Sequence, residues 1–204
     1  MCSQPREGGG VVPGETTKVA RVRDPAPPYD GEGPHALWHV SENAAIGRFD
    51  PHVSATASSS EPRVWAVDTR HLPFYWFPRE CPRGMFWAAS TSALDHADLL
   101  AGAARVHAVE GGWLERIRFA EVVAYRLPKE SFEPDPEVGG YWLSRESVEP
   151  LELIELGELL GLHAAAGIEL RIVSNLWPLW DRVAASTLEF SGIRLHNARP
   201  RRDR

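Results

Sequence analysis

The chain has 204 residues, 43% of them hydrophobic and 25% charged, and a formal net charge of −6 at pH 7. This is the composition of an ordinary globular domain with one core, and its acidic balance argues against general electrostatic binding of nucleic acid. The chain contains two cysteines, too few for a disulfide framework, and no apolar run reaches the roughly 20 residues of a membrane helix, so we expect a reduced, cytoplasmic setting without a membrane.

The two ends of the chain differ in composition from its centre. Residues 1–33 are rich in glycine, proline and charge without apolar periodicity, which predicts a disordered N-terminal arm. They begin with MCSQPREGGG, which lacks the hydrophobic centre of a signal peptide. Residues 34–198 are predicted to form a single domain. Residues 199–204 form a basic tail that we expect to be loose.

The first predicted strand covers residues 36–42, ALWHVSE. Alternation places Leu37, His39 and Ser41 on one face of this strand. A histidine in an otherwise apolar strand, with a serine two residues later, is suited to hold a ribose hydroxyl or to act as an acid or base. From residue type alone, a satisfied core histidine is the simpler interpretation.

The centre of the sequence is an aromatic block that follows a low-complexity loop. The loop, residues 54–62, is a lid or a tolerated insertion. Residues 64–67 predict a strand, Thr69 is positioned to cap a short helix, and a second strand follows at residues 84–88. Tyr75, at the exit of that helix, is suited to stack on a planar base, although ordinary aromatic packing explains it equally well.

The rest of the chain mixes short strands and short helices without a regular βαβ rhythm. The predicted elements are a helix capped by Thr91 or Ser92, a strand at 104–110, a helix at 113–118, strands at 121–127, 141–144 and 150–156, a helix at 157–166, a strand at 168–173 and a helix at 177–188. This pattern predicts an α+β fold with a mixed or antiparallel, possibly split, β-sheet flanked by short helices.

Glu110 is the carboxylate whose position the pattern singles out. It ends a predicted strand and precedes Gly111 and Gly112, and a carboxylate at a strand end beside flexible residues is a common catalytic placement. An ordinary turn residue is the alternative interpretation. His163, on an apolar helical face, is interpreted as a core residue.

The other candidate groups of residues, for a metal site or a cysteine nucleophile, point less clearly to a function. The histidines lack the spacing of metal sites, so we expect no metal. Cys81 with His71 as base is possible on residue types, with flanking arginines to lower the thiol pKa, but a buried structural thiol is the simpler interpretation. No glycine-rich phosphate loop, zinc motif or nucleophile elbow is present in the sequence.

Longer segments carry two resemblances. VWAVDTRHLPFYWFPRECP, GYWLSRESVEPLEL and LWPLWDRVAASTLEFSGIRLHNA resemble a family of uncharacterised bacterial proteins, and the resemblance extends over residues 37–198. LWHVSENAAIGRF is similar to the opening of ADP-ribosyltransferase-like folds, which begin with a strand of the form L-Y-H-x-[ST] followed by a short helix. The second resemblance implies a split-sheet fold with NAD as a substrate and no metal.

The transferase resemblance assigns roles to particular residues. It implies that His39 binds the nicotinamide-side ribose and that Tyr75 stacks on nicotinamide. The glutamate that would stand on a late strand is replaced by Tyr141 in GYWLSRESVEP. Glu110 or Glu146 is therefore the candidate for a displaced catalytic carboxylate.

The same replacement resembles RNA 2′-phosphotransferase relatives of the fold, whose late strand has a similar W-L-[ST] pattern and which hold phosphate with basic residues. The candidates for that role are Arg79, Arg83, Arg145 and Arg194. Three hypotheses result: a protein that binds NAD or a related nucleotide and transfers ADP-ribose to an unknown acceptor, a non-catalytic binding module of the same fold, and a phosphotransferase acting on a 2′-phosphorylated RNA end.

Overall fold

The computed structural model describes residues 36–53, 61–93 and 97–201. The predicted N-terminal arm, residues 54–60 of the low-complexity loop, and residues 202–204 lie outside these ranges. The strands of the described ranges are β1 (Leu37–Ser41), β2 (Val64–Asp68), β3 (Arg83–Trp87), β4 (Arg105–Glu110), β5 (Val123–Leu127), β6 (Phe132–Pro134), β7 (Tyr141–Ser144), β8 (Glu152–Glu155), β9 (Glu169–Val173) and β10 (Glu189–Ile193).

The helices between these strands are short. They are α1 (Ala97–Leu100), α2 (Leu114–Phe119), α3 (Leu159–Ala165) and α4 (Trp177–Ala184), with single 3-10 turns at Leu72–Tyr75, Gly111–Trp113 and Leu195–Asn197. Over the described ranges, every helix falls short of the length and apolar character needed to cross a bilayer.

The strands form two sheets, which confirms the predicted α+β class. The larger sheet has the order β6-β7-β2-β1-β5-β8 and is antiparallel throughout. The smaller sheet has the order β10-β3-β4-β9 and is mixed, because β9 runs parallel to β4. Strands β3 and β4 occupy its centre and are buried along their whole length.

Apolar side chains form clusters on both faces of the larger sheet. One cluster, which includes Trp38 of β1 and Val109 of β4, joins the two sheets with α2 and α3. A second cluster, which includes Leu37, covers the other face of the larger sheet. Leu37 and Trp38 therefore point to opposite faces, as the alternation in the first strand predicted.

The larger sheet opens between β1 and β2. The two strands pair at Leu37↔Asp68 and Trp38↔Val67, whereas β1 pairs with β5 along all of its residues. After Trp38 the two strands diverge, and the side chains that follow on β1 lie at the edge of the resulting gap. This divergence positions the cleft described below.

Helix α4 covers the outer face of the smaller sheet through Trp180. Gly84 of β3 and Gly192 of β10 are direct neighbours in the register, and a Cβ atom on either residue would lie 2.8 Å from the Trp180 ring. The two glycines therefore form the flat floor on which the indole packs. Pro178 lies in the first turn of α4, where its missing N–H removes no helical hydrogen bond.

Several sequence expectations are corrected at the element ends. Thr69 caps no helix; its hydroxyl accepts from Trp38 Nε1 at 2.9 Å, and the 3-10 turn that follows has His71 at its N-cap. Helix α4 ends at Ala184 rather than at residue 188, and β10 follows where no strand was predicted.

The first residues of the basic tail are anchored, in contrast to the loose tail that its composition led us to expect. The Arg199 backbone N–H donates to Glu110 Oε2 at 3.0 Å. The Arg201 guanidinium donates to the Asp181 carboxylate and lies 4.1 Å from the centroid of the Trp177 ring. The C-terminal segment is thereby held against α4 as far as Arg201.

Candidate functional site

A cleft of about 690 Å³ lies between the two sheets, within the size range of small-molecule sites. Its walls come from β1 and β7 of the larger sheet, from β3 and β10 of the smaller sheet, and from the loop that carries Asp135. The gap between β1 and β2 forms one end of the cleft, because His39 and Trp65 both line it.

The residues that the sequence selected for ligand binding converge on this cleft. His39, Ser41, Tyr75, Arg79 and Tyr141 all line it. These residues lie up to 102 positions apart in the sequence, and they come from two strands of the larger sheet, a 3-10 turn and the loop after that turn. The fold therefore brings together side chains that the sequence connected only through a resemblance.

His39 is held as a neutral imidazole. Its Nδ1 lies 3.0 Å from the carbonyl oxygen of Trp65, so Nδ1 carries the proton and donates it to that oxygen. Burial lowers the pKa of His39 from its ordinary value, and the bond to the Trp65 carbonyl opposes this shift. Nε2 is therefore the unprotonated nitrogen, an acceptor suited to a sugar hydroxyl.

Tyr75 and Tyr141 form a hydroxyl pair within the cleft. Their phenolic oxygens lie 2.5 Å apart, and their rings meet edge to face with centroids 6.4 Å apart. Burial raises the pKa of both hydroxyls, so both are neutral near pH 7. One hydroxyl donates to the other, and the accepting hydroxyl keeps a proton that it can donate to a ligand.

Arg83 is the buried cation of the site. Its side chain is 1% exposed although it lines the cleft, and its guanidinium lies 5.5 Å from the centroid of the Tyr75 ring. Nε donates to the Phe74 carbonyl at 2.7 Å and Nη1 to the Cys81 carbonyl at 2.8 Å. These two bonds fix the plane of the guanidinium.

Two further arginines reach the cleft from its rim. Arg79 Nε and Arg194 Nε lie 4.0 and 3.6 Å from the same atom, Glu80 Oε1. Arg194 has a left-handed backbone with φ of 53°, a conformation that costs a non-glycine residue about 1–2 kcal/mol. Such strain is typical of functional segments, where the surrounding structure enforces it.

The carboxylates that line the cleft differ from those that the sequence suggested. They are Glu42, Asp135 and Glu137. Glu42 Oε2 accepts from the Arg79 backbone N–H at 3.0 Å, and Asp135 Oδ1 accepts from the Glu137 backbone N–H at 2.8 Å. Glu42 directly follows the first strand. Strand alternation places it on the face opposite to His39 and Ser41, so the period alone did not select it.

The two predicted catalytic carboxylates do not line the cleft. Glu110 is 2% exposed, and its Oε1 accepts from the backbone N–H of Leu176 at 3.0 Å, immediately before α4. Its two oxygens also accept from Arg199 N–H, so this carboxylate joins β4 to α4 and to the C-terminal segment. Glu146 is exposed in the turn after β7.

Cys81 and His71 are each held in a way that disfavours a nucleophile and base pair. Burial raises the pKa of the Cys81 thiol to about 12, so at neutral pH it is a thiol and not the thiolate that attacks. His71 Nδ1 lies 2.7 Å from Asp68 Oδ1. In the part of the chain that the structure describes, no group of three or more histidine, cysteine and acidic side chains is arranged to hold a metal ion.

The two sheets, the short helices and the lined cleft define an α+β protein with a ligand-sized site. The model of a family of unknown function, DUF6886, matches residues 38–198, well over half of the chain, and the chain belongs to that family. No curated protein and no solved structure gives a significant match. The family match confirms the resemblance to an uncharacterised family, and the transferase resemblance stays a prediction.

Proposed function

We propose that this protein is an ADP-ribosyltransferase-like enzyme that binds NAD or a related nucleotide in the cleft between its two sheets. The observation that carries the proposal is the convergence of His39, Ser41, Tyr75, Arg79 and Tyr141 on one cleft of suitable size. A cytoplasmic setting, in which NAD is available, belongs to the same proposal.

The polarity of the cleft matches a dinucleotide. Neutral His39 offers an acceptor to the ribose hydroxyls, and the edge-to-face tyrosine pair offers aromatic surface to a base or a nicotinamide ring. Arg79, Arg83 and Arg194 also line the cleft, where they would neutralise phosphates. Aromatic and apolar surface with a few fixed polar groups is the usual composition of a cofactor site.

The proposed reaction breaks the bond between the nicotinamide nitrogen and C1′ of the ribose. Nicotinamide leaves with the electron pair, positive charge develops on the sugar, and an oxygen or nitrogen of the acceptor forms the new bond to C1′ and loses its proton. A carboxylate stabilises such a cation. Glu42, Asp135 and Glu137 are the carboxylates that line the cleft, and we propose Glu42 for this role because it follows His39 and Ser41 on the β1 segment.

A second candidate is phosphotransfer from a 2′-phosphorylated RNA end. Tyr141 on β7 stands where the transferase resemblance implies a glutamate, and three arginines line the cleft. An arginine-rich cleft without that glutamate suits a phosphate acceptor better than a simple ADP-ribosyl acceptor. A non-catalytic module of the same fold is the third candidate; it would bind the nucleotide without turnover.

The test is calorimetric titration of the purified full-length chain with NAD, repeated with His39→Ala. We expect binding by the wild type and an affinity at least tenfold lower for the variant, because the ribose hydroxyls lose the Nε2 acceptor. Arg118→Ala is the control, since Arg118 is exposed on α2 and does not line the cleft. Thermal unfolding of each variant shows whether the fold is intact.

The outcomes separate the transferase from the non-catalytic module. Release of nicotinamide from bound NAD supports the transferase, and its loss in Glu42→Gln supports the proposed carboxylate. Binding of NAD without release, in the presence and in the absence of a 2′-phosphorylated oligonucleotide, supports the non-catalytic module. No NAD binding by the folded wild type would refute the transferase proposal.

A further inference from the structure

Among the arginines that line the cleft, Arg83 is the one whose charge is buried. Among the described residues, most partly or fully exposed arginines pair with a carboxylate within 4.0 Å, as Arg126 does with Glu152 and Arg171 with Glu169. At the rim of the cleft, Arg79 and Arg194 share Glu80. Arg83 is more deeply buried than these arginines, yet it has no carboxylate within that distance in the described part of the chain.

The groups that surround Arg83 do not neutralise it. The side chains whose ionisation would favour its positive charge are Cys81, Tyr75 and Tyr141. Burial raises the pKa of each of them, so all three are neutral near pH 7. Arg194 adds a second positive charge nearby, which lowers the pKa of Arg83 further after burial itself. A guanidinium keeps its proton under these conditions.

A buried unpaired charge is unfavourable unless a partner supplies the opposite charge. Two carbonyl oxygens satisfy Nε and Nη1, and Nη2 has no hydrogen-bond partner among the described residues. Because Arg83 lines the cleft, a ligand in the cleft is positioned to supply that partner. The planar fork of a guanidinium suits an oxyanion with more than one oxygen.

The tyrosine pair adds a donor at the same place. The Tyr75 ring lies over the Arg83 guanidinium, and the hydroxyl that accepts within the pair keeps one proton to donate. Two of the three carboxylates that line the cleft have other partners: Glu42 accepts from Arg79 N–H, and Asp135 closes its own turn. Besides burial, the Asp135 charge also raises the pKa of Tyr141, which keeps that hydroxyl protonated as a donor. The end of the cleft around Arg83 therefore presents donors and positive charge.

We infer that Arg83, with the Tyr75–Tyr141 hydroxyl pair, forms a subsite for a phosphate oxyanion, and that the ligand of this cleft carries phosphate at that end. This inference rests on the proposed function for the location of the ligand and deepens it. The shared chemistry is that of a phosphoryl group, whether it belongs to the diphosphate of a dinucleotide or to a terminal phosphomonoester.

The experiment is calorimetric titration of the full-length chain with four probes: inorganic pyrophosphate, adenosine 2′-monophosphate, NAD, and nicotinamide riboside, which lacks phosphate. We expect the phosphate-bearing probes to bind and Arg83→Met to weaken them at least tenfold. In Arg83→Met, the affinity for nicotinamide riboside should stay within twofold of the wild-type value. Arg83→Lys should retain part of the affinity, because it keeps the charge and loses the fork.

Methionine is chosen because it fills similar space without a charge, and thermal unfolding verifies that the variant folds. Arg118→Ala, an exposed arginine outside the cleft, is the matched control and should change nothing. A preference for adenosine 2′-monophosphate over pyrophosphate identifies a phosphomonoester as the source, and the reverse preference identifies a diphosphate.

Titrations of the wild type alone can overturn the inference, so the test does not depend on the folding of a variant. If neither pyrophosphate nor adenosine 2′-monophosphate binds the wild type at millimolar concentration, and NAD binds no better than nicotinamide riboside, no phosphate subsite exists. NAD binding that is insensitive to Arg83→Met would also refute the subsite and leave the proposed function standing. Pyrophosphate binding that Arg83→Met abolishes, without any NAD binding, would support the subsite and refute the NAD proposal.

Discussion

Tyr75 and Tyr141 depend on each other for hydrogen bonding. Their hydroxyls lie 2.5 Å apart on side chains that are partly buried in the wall of the cleft. Replacing one of them by phenylalanine leaves the other hydroxyl without its partner, which costs about 1–3 kcal/mol for a buried polar group. We therefore expect Tyr75→Phe and Tyr141→Phe each to lower the free energy of unfolding, measured by urea denaturation.

The double variant distinguishes a pair from two independent hydroxyls. Removing both polar groups leaves no unsatisfied hydroxyl, so Tyr75→Phe with Tyr141→Phe should destabilise the protein by less than the sum of the single variants. Additive losses would show that the hydroxyls do not interact in solution. Phosphate binding should weaken in the double variant, because the donated proton is lost while Arg83 remains.

Single residues of the site were predictable to very different degrees. The sequence draws attention to His39 because it lies within an apolar strand, and to Tyr75 because it lies at the end of a short helical turn. Arg83 was one of four arginines that the resemblance offered for phosphate, and nothing in Pro82-Arg83-Gly84 separated it from the others by showing that the strand it begins is buried on both faces. Glu110 has two interpretations that the sequence does not separate, because a strand-end carboxylate beside glycines also suits a bond to distant backbone amides, such as the one it accepts from Leu176.

At the scale of elements, the packing of Trp180 on Gly84 and Gly192 holds β10 beside β3. A Cβ at residue 192 would lie 2.7 Å from Leu195 Cδ1 and 2.8 Å from the Trp180 ring. Gly192→Ala should therefore lower the free energy of unfolding by about 1–3 kcal/mol, as overpacking of a tight site does. Gly84→Ala should behave in the same way. Chemical denaturation measures both changes.

The chain offers a matched control for this prediction. Gly47 has open space where its Cβ would lie, so Gly47→Ala should change the stability by less than about 0.5 kcal/mol. Combining Gly192→Ala with Trp180→Leu should cost less than the two changes added together, because the smaller side chain relieves the contact. Equal changes in the free energy of unfolding for Gly192→Ala and Gly47→Ala would show that the packing of the Trp180 indole does not require glycine at position 192.

The hairpin that presents Tyr141 depends on Gly140. This residue has φ of 82°, and a Cβ on it would lie 2.0 Å from His71 Nδ1, the atom that lies 2.7 Å from Asp68 Oδ1. Gly140→Ala combines backbone strain with a clash, so we expect a loss of about 2–4 kcal/mol in the free energy of unfolding.

Because Tyr141 is the next residue, Gly140→Ala should also weaken ligand binding in calorimetry, even at a temperature where the variant is folded. Gly139→Ala is the neighbouring control, since its Cβ would meet no atom within 4 Å. Unchanged ligand affinity in a folded Gly140→Ala variant would argue against a positioning role for the contact between His71 and Gly140.

Element boundaries show where sequence periodicity succeeds and where it fails. β1, β4, β7 and β9 were predicted to within one residue because their apolar residues alternate or run together. β10 was missed because its sequence, EFSGI, contains serine and glycine in its centre and directly follows a helical pattern. That strand pairs with β3 along all five of its residues, a contact between distant segments that local propensity does not encode.

At the scale of the whole molecule, the α+β class followed from the order of short elements, but the cleft did not. The cleft is lined by residues from both sheets and includes the gap where β1 diverges from β2 after Trp38. Both are long-range features, which a single sequence specifies only through the sum of its packing. The resemblance supplied the site residues that the pattern alone left ambiguous.

The interior contains histidines that connect global stability to pH. His107 and His163 are both 0% exposed, and His163 Nε2 lies 3.1 Å from His107 Nδ1. His163 Nδ1 donates to the Leu159 carbonyl, so His107 Nδ1 donates to His163 Nε2. Burial lowers the pKa of both residues, for His163 to about 4, and the charges of Arg83 and Arg105 lower the pKa of His107 further.

The sign of the pH dependence follows from proton uptake. Near pH 7 both histidines are neutral in both states. Between pH 6.5 and the lowered pKa values of the folded state, the unfolded chain binds more protons, so stability must fall as the pH falls. For His163 alone, a folded pKa of about 4 against an ordinary value near 6.5 corresponds to a loss of about 2 kcal/mol at pH 5.

We therefore expect the free energy of unfolding, measured by urea denaturation, to fall by about 2 kcal/mol or more between pH 7.5 and pH 5. Carboxylates contribute little in this window because they titrate mostly below it. In His107→Gln with His163→Gln, both side chains stay neutral at every pH, so the variant should lose the part of this dependence that the pair supplies, even if it is less stable at pH 7.5. His39, whose pKa burial also lowers, keeps its own contribution in both proteins. A variant with the same slope as the wild type would show that the acid sensitivity originates outside this buried pair.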